Sequence, residues 1–377
     1  MGDWIESEKM SHPAKAEKYA ALGDLQKRKL WHQLTAELEK FVSEPPEAGE
    51  SYIDLYYKFI KDFENKLNPL KFVLIMTAIA RSITLSEAAE NLFVTLAEKV
   101  TSNKEAYIIA RTELASLKLK AGNTEETKAL LEDAQKIVSS VASVEPIVNS
   151  TFYRALAEYH KVVGTFAEFY KNALLYLSYT PIESIDEATK VQWAFSLGLA
   201  ALMAEGIYNF GELLGHPIFS SLTGTKYEWL ADILKVFNVG NIVGYNELTE
   251  RYRQQLLLEP ALVSHVQLLK EKITILCLME LIFRRPSDNR NIPFQVIADE
   301  TRLPLNEVEI LVMKAMSLKL IRGVIDEVDK LVRVTWVQSR VLDLDQVSHL
   351  KGRLEHWSNN VKNALVFVEN ETPELFV

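Results

Sequence analysis

The 377-residue chain is short of the residues that staple, kink or anchor a protein. Its one cysteine, Cys277, excludes an internal disulfide framework and a multi-cysteine zinc site. That residue lies in the apolar run ITILCLMELIF, where a small core side chain is expected, and a reducing compartment fits. Only 14 glycines and 12 prolines punctuate the sequence, which favours long helices over a turn-rich all-β fold. Apolar stretches such as WAFSLGLAALMA, Trp193 to Ala204, stop well short of the ~20 residues that span a bilayer, so no membrane role is expected. The start, MGDWIESEKM, lacks a signal-peptide core, and Glu6 breaks the myristoylation pattern. Without secretion, the acceptor-like triplets at Asn149 and Asn370 carry no meaning. Cytoplasm and nucleus are the expected compartments.

Positive charge is also in deficit. Lys and Arg total 42 against 51 Asp and Glu, a formal net charge of −9, so phosphate binding loses its cheapest support. Catalytic signatures are missing: there is no GxxxxGK loop, no GxSxG elbow, no HExxH, and no HxH pair with a downstream acid. His349 and His356 stand two turns apart, whereas a metal wants i,i+4 spacing and a third ligand, so both read as surface residues. No catalytic residue, cofactor or metal is expected.

What remains is an ordinary folded composition, 48% hydrophobic and 25% charged, long enough for two or three domains. From about Leu25 to Glu259 one helical pattern follows another. KRKLWHQLTAELEKFV, SYIDLYYKFIKDFENKL, KFVLIMTAIARSI and LSEAAENLFVTLAEKV each carry apolar residues at helical spacing. SEPPEAGE separates the first two, and Asn68-Pro69 opens the third. Gly122, Gly164 and Gly206 then recur at intervals of 42, and Gly240 follows after 34. ELASLKLKAG and ALAEYHKVVG both place Leu-Ala eight and seven positions before the glycine, and the helices that follow share Ala-Leu-Leu. Such periods indicate a tetratricopeptide-like solenoid, with glycine as the left-handed cap between paired helices. Chance spacing of four glycines is the alternative, and the helical-pair reading survives it. HVQLLKEKITILCLMELIFRR, His265 to Arg285, is apolar on nearly every side and is expected to cement the solenoid to the next block.

In that block Pro293 suits the first turn of a helix bearing Phe294, Val296 and Ile297. In the next helix Asn306 and Glu309 form a capping-box-like pair, and Val308, Leu311, Val312 and Ala315 make one core face. After Leu320 the period becomes two. Ile321, Gly323 and Ile325, then Val332, Val334 and Trp336, alternate around the turn DEVDK, giving a hairpin with one buried face and an edge open to a neighbouring chain. Two helices and a hairpin outline a winged helix. A DNA-reading role meets eight basic residues balanced by eight acidic ones between Asp288 and Arg340, with Glu307 and Glu309 near the start of the reading helix.

From about Asp345 a strict 3,4,3,4 seam runs through Val347, Leu350, Leu354, Trp357, Val361, Ala364 and Val368. Lys351, Arg353, Glu355, Ser358, Asn359 and Lys362 keep it narrow, as a coiled coil or helical bundle requires. Packing back onto the winged helix is the alternative. Burying each large side chain is worth roughly 1.5–3 kcal/mol, so five or six supply ~10 kcal/mol before entropy costs.

A helical solenoid leading into a winged helix resembles the PCI proteins, which build the proteasome lid, the signalosome and translation initiation factor three. Within that family NFGELLGHPIF, NEVEILVMKAMSLKLIRGVIDEVDK and VRVTWVQSRVLDL are similar to a lid subunit of the 26S proteasome, as are KRKLWHQLT and the NPL at Asn68. The likeness covers nearly everything after about Leu25 and is most specific from Glu280 to Leu344. It implies a mainly α fold: an extension over 1–24, a helical-repeat solenoid over 25–259, a winged helix over 260–344, and a bundle helix with its tail over 345–377. It also implies a non-catalytic scaffold supporting lid assembly and ubiquitin-dependent degradation. Ile321, Ile325, Val332, Val334 and Trp336 would form the wing and sheet edge, and Val347 through Val368 the bundle helix. Partners would be PCI- and MPN-domain lid subunits, with a neighbouring ubiquitin receptor as a further candidate. Signalosome or initiation-factor scaffolds are the runner-up reading, and a winged-helix nucleic-acid binder comes last.

Overall fold

A computed structural model describes residues 8–10, 15–44, 52–81, 86–141, 143–286, 289–341 and 344–371. The acidic start, most of the SEPPEAGE separator and the tail after 371 lie outside the described residues, as does the middle of the PSDNRN loop. The chain forms two compact units, residues 1–184 and 185–377.

The first unit holds α1 (Ala16–Lys27), α2 (Trp31–Ser43), α3 (Tyr52–Lys58), α4 (Pro69–Arg81), α5 (Ser86–Lys99), α6 (Lys104–Lys120), α7 (Thr124–Ser140), α8 (Pro146–Val163) and α9 (Phe166–Tyr179). Two expected helices are interrupted. KRKLWHQLTAELEKFV breaks where Lys29 turns left-handed (φ 57°), and α2 starts afresh at Trp31. SYIDLYYKFIKDFENKL unwinds after Lys58 into two 3-10 turns, which let Phe59, Ile60 and Phe63 all point inward. The Phe59 and Phe63 rings meet edge to face at 5.2 Å. Asn68 caps α4, accepting from the Leu70 amide at 3.0 Å.

The expected glycine turns form. Gly122 and Gly164 sit at φ 89° and 83° between α6 and α7 and between α8 and α9. At Gly122 the amides of Gly122 and Asn123 donate to the Leu119 and Lys118 carbonyls, the Schellman pattern that satisfies a helix end while reversing the chain.

The second unit opens with α10 (Glu187–Met203), α11 (Glu228–Val239) and α12 (Ile242–Arg251), with one-turn segments between and after them. It continues through α13 (Val266–Arg284), β1 (Asn291–Pro293), α14 (Phe294–Thr301), α15 (Leu305–Ser317), β2 (Ile321–Asp326), β3 (Leu331–Val337) and α16 (Leu344–Glu371). Gly206 and Gly240 are left-handed as well, but only Gly240 joins two helices directly. Gly206 instead sends the chain into an irregular stretch that carries Tyr208 and Phe210.

Helix α13 is buried along its length through Leu269, Ile273, Leu276, Met279 and Ile282. One side meets α10 and α11; the other joins Ile292, Phe294, Ile297, Val308, Val312, Ile321 and Val332 in the winged-helix core. Gly240 marks how closely the α11–α12 turn approaches α13: a Cβ there would lie 2.7 Å from the Cys277 amide nitrogen. Cys277 is a buried core thiol, pushed up to about 11 mainly by burial.

Lys272, on the same helix, is buried without a carboxylate partner. Its ammonium donates to the carbonyls of Ala201 (2.6 Å), Leu202 (3.2 Å) and Ala204 (2.9 Å), acceptors that the end of α10 leaves without intrahelical donors. The rings of Tyr208 and Phe210 stand 5.6 and 5.2 Å from the nitrogen. Burial pulls its pKa down to about 7, while the negative end of α10 favours the proton.

The sheet is three-stranded, in the order β1-β3-β2, and antiparallel throughout. Sequence periodicity signalled only two strands, because β1 is three residues long and merges with the helix after it. Pro293, expected in the first helical turn, is the residue before α14; it sits in an edge strand, where its missing N–H costs nothing. The Asn306–Glu309 capping box does not form: α15 begins at Leu305 after Pro304, so Asn306 already lies inside the helix.

Lys272→Met should lower stability, since each buried carbonyl left without a donor costs about 1–3 kcal/mol. Because the folded pKa of about 7 lies below the ordinary 10.5, the unfolded chain holds this proton more tightly between those values. Lys272 therefore contributes more as pH rises, and the deficit of the Met variant should widen by on the order of 2 kcal/mol from pH 7 to 9. Urea unfolding at both pH values checks this; a constant or shrinking deficit would contradict the lowered pKa. Gly240→Ala combines a left-handed residue with a backbone clash and should cost at least about 2 kcal/mol. Gly122→Ala, with open space at its Cβ, should cost about 1 kcal/mol in the same assay.

Candidate functional site

Helix α16 runs 28 residues, about 42 Å at 1.5 Å per residue. Its root is held from the preceding strand. After β3 the Arg340 guanidinium donates to Glu280 of α13 at 2.9 Å and to the Asn238 carbonyl at the end of α11. Both charged side chains are nearly buried, and burial lowers the arginine's pKa against the pull of Glu280. Arg284 engages the other Glu280 oxygen at 3.0 Å, so the carboxylate is shared. The Val341 amide reaches Asn209 Oδ1 at 3.4 Å, and Gly211 lets Val341 approach so closely that a Cβ would sit 2.8 Å away. In the sequence Arg340 is one basic residue among the eight between Asp288 and Arg340. Nothing in its local spacing pointed to a partner 60 positions upstream.

Beyond that root, every described side chain from Val347 to Glu371 is exposed. Along the seam Val347, Leu350, Leu354, Trp357, Val361 and Val368 remain 43–65% exposed, and Ala364 is exposed as well. The chain's own winged helix does not cover them. Two polar contacts on the helix are local: Lys351 to Glu355 at 3.7 Å, and Asn360 to the His356 ring at 3.3 Å. The side chain of His349 lies outside the described residues.

The wing differs from its expected form in two ways. First, a β-bulge falls between Arg322 and Gly323: Arg322 faces Trp336, Gly323 faces Val334, and Thr335 is the extra residue. Its hydroxyl donates to the Arg322 carbonyl at 3.1 Å. The bulge flips the alternation, so Trp336 is 40% exposed and Val337 takes the inward position. The Arg322 guanidinium lies 4.9 Å from the Trp336 ring centre, a pairing that strict alternation had hidden. Second, Val332, Val334 and Trp336 are on β3, the central strand, and cannot form a sheet edge. Ile321 is buried and Ile325 half-buried on β2, the longer of the two edge strands.

The reading helix of a DNA-binding winged helix corresponds to α15. Its outward face carries Ile310 and Met313, 65% and 55% exposed, and Lys314 is engaged by Glu271 of α13. An apolar face and an occupied lysine do not suit a phosphate backbone. Among the described residues no group of three or more His, Cys, Asp or Glu side chains is placed to hold a metal, and no helix is long and apolar enough to cross a membrane.

Two family models match the sequence: PSD13 N-terminal repeats over residues 18–234 and PCI domain over residues 249–336. The 26S proteasome non-ATPase regulatory subunit 13 homolog B of Arabidopsis thaliana is 44% identical, covering 99% of this chain and 98% of its own length. Its Dictyostelium discoideum counterpart is 38% identical over the same shares. Eukaryotic translation initiation factor 3 subunit M of Dictyostelium discoideum is 24% identical, over 46% of this chain and 42% of its own length. The winged-helix core, the helical pairs and the full-length likeness lead to one conclusion: the chain belongs to the family of 26S proteasome non-ATPase regulatory subunit 13.

Proposed function

We propose that this protein is a non-catalytic scaffold subunit of the 26S proteasome regulatory particle, in its lid, supporting assembly and ubiquitin-dependent degradation in cytoplasm and nucleus. The observation that carries this is the seam of α16, which is apolar, strictly spaced and uncovered by its own chain. Partners are other PCI- and MPN-domain lid subunits, gathered through the seam and through the β2 edge, with a neighbouring ubiquitin receptor as a further contact. In this reading residues 25–259 present the helical-repeat surface, 260–344 the winged helix, and 345–377 the bundle helix and its tail. The runner-up assembly, initiation factor three, draws on a relative that matches less than half of the chain.

Replacing Leu354 and Trp357 together by Asp should leave the chain folded, because both are exposed in it, yet prevent incorporation into the lid. Each buried unpaired charge costs about 3–5 kcal/mol at an interface. Circular dichroism and sedimentation of the reconstituted lid measure the two effects; a double variant that incorporates normally would refute the seam. A fluorescence titration with duplex DNA and RNA at 50 and 200 mM salt should show no binding beyond the non-specific level. Salt-sensitive binding lost on changing Lys314 and Lys319 would favour the nucleic-acid reading.

A further inference from the structure

We infer that α16 engages its partners in two modes: one face only along residues 347–361, and its whole circumference over residues 364–368. The helix thus enters the bundle at its side and ends at its centre. This rests on the bundle reading above and adds which stretch is surrounded and what flanks the occupant carries.

At 100° per residue, Val347, Leu350, Leu354, Trp357 and Val361 fall within an arc of about 80°. The rest of that stretch is polar or small, with Gly352 and Asn359 facing away from the seam. A single partner face covers such an arc. The pattern changes at Ala364. Leu365, Val366, Phe367 and Val368 follow one another directly, so their side chains point in four directions about 100° apart. All four are exposed in the isolated chain, Val366 by 52% and Phe367 by 65%. A helix apolar all round is buried all round. Left in water, this turn would be an exposed apolar patch of the kind soluble surfaces avoid.

The occupant is a set of helices from other subunits with carboxylates beside their apolar stripes. Lys351 and Arg353 flank the seam on opposite sides, at positions where bundled helices exchange ion pairs. Lys351 has only an exposed contact with Glu355 on its own helix, worth little. A second copy of this chain offers no counter-charge there, since the flanking positions Lys351, Arg353, Ser358 and Asn360 include no carboxylate.

The test uses the full chain co-expressed with the other lid subunits, with the incorporated fraction read by native mass spectrometry. Leu354→Asp, on the seam, and Val366→Glu, off the seam near the end, should each reduce incorporation at least tenfold. Asn359→Glu, off the seam in the first stretch, should assemble like wild type. Circular dichroism of each free variant should match the parent. Normal assembly of Val366→Glu alongside loss with Leu354→Asp would overturn the surrounded end while leaving the bundle reading intact. Normal assembly of Leu354→Asp would overturn the bundle reading itself. Loss with Asn359→Glu would overturn the one-faced stretch. Reversing Lys351 and Arg353 to Glu should reduce incorporation at least tenfold at 50 mM salt and less at 500 mM; an unchanged fraction at both would overturn the acidic-flanked occupant.

Discussion

Burial of α13 on both of its sides is the constraint on which the second unit depends. The helix is too apolar to face water, and it has two neighbours to satisfy: the α10–α12 helices and the winged helix. Two of its charged side chains serve those same two contacts. Near its start Lys272 caps the end of α10, and near its end Glu280 gathers Arg284 and Arg340. The backbone itself is an interface at Gly240, where no side chain fits. Unfolding one neighbour would expose one side of the helix and strand a buried charge, so the helical part and the winged helix form one cooperative piece.

That packing also fixes the base of α16. Arg340 and Val341 fix the point from which α16 departs, on a surface made jointly by α11, α13 and the segment around Asn209. From there the helix makes no apolar contact that buries its seam. In the proposed reading, stability of the chain and affinity for partners are carried by different residues, so that α16 can remain strongly apolar while the subunit folds alone. In that reading the seam's hydrophobic burial, near 25 cal/mol per Å², is gained on assembly and not in the fold.

Much of this was legible in the sequence because it is periodic. The seam, the helical pairs and the face of α15 repeat at 3.5 or 3.6 residues over several turns, and tertiary packing leaves such signals intact. The glycine turns were legible because a left-handed cap has one preferred residue. What escaped was short or long-range. A three-residue strand has no period to detect, and one bulge at Thr335 reversed the orientation of Trp336. Capping by Asn306 failed because Pro304 moved the helix start forward by two residues. Lys272 and Arg340 find partners about 70 and 60 residues away, and nothing local marks either one as buried.

The most direct measurement is affinity purification of the tagged full-length chain beside a version ending at Leu344, with co-purifying subunits identified and the fold of the truncated chain verified. Full-length protein should bring lid and base subunits of the proteasome, and the truncated chain, still folded, should lose them. Retention of those subunits without α16, or recovery of initiation-factor subunits in their place, would contradict the account.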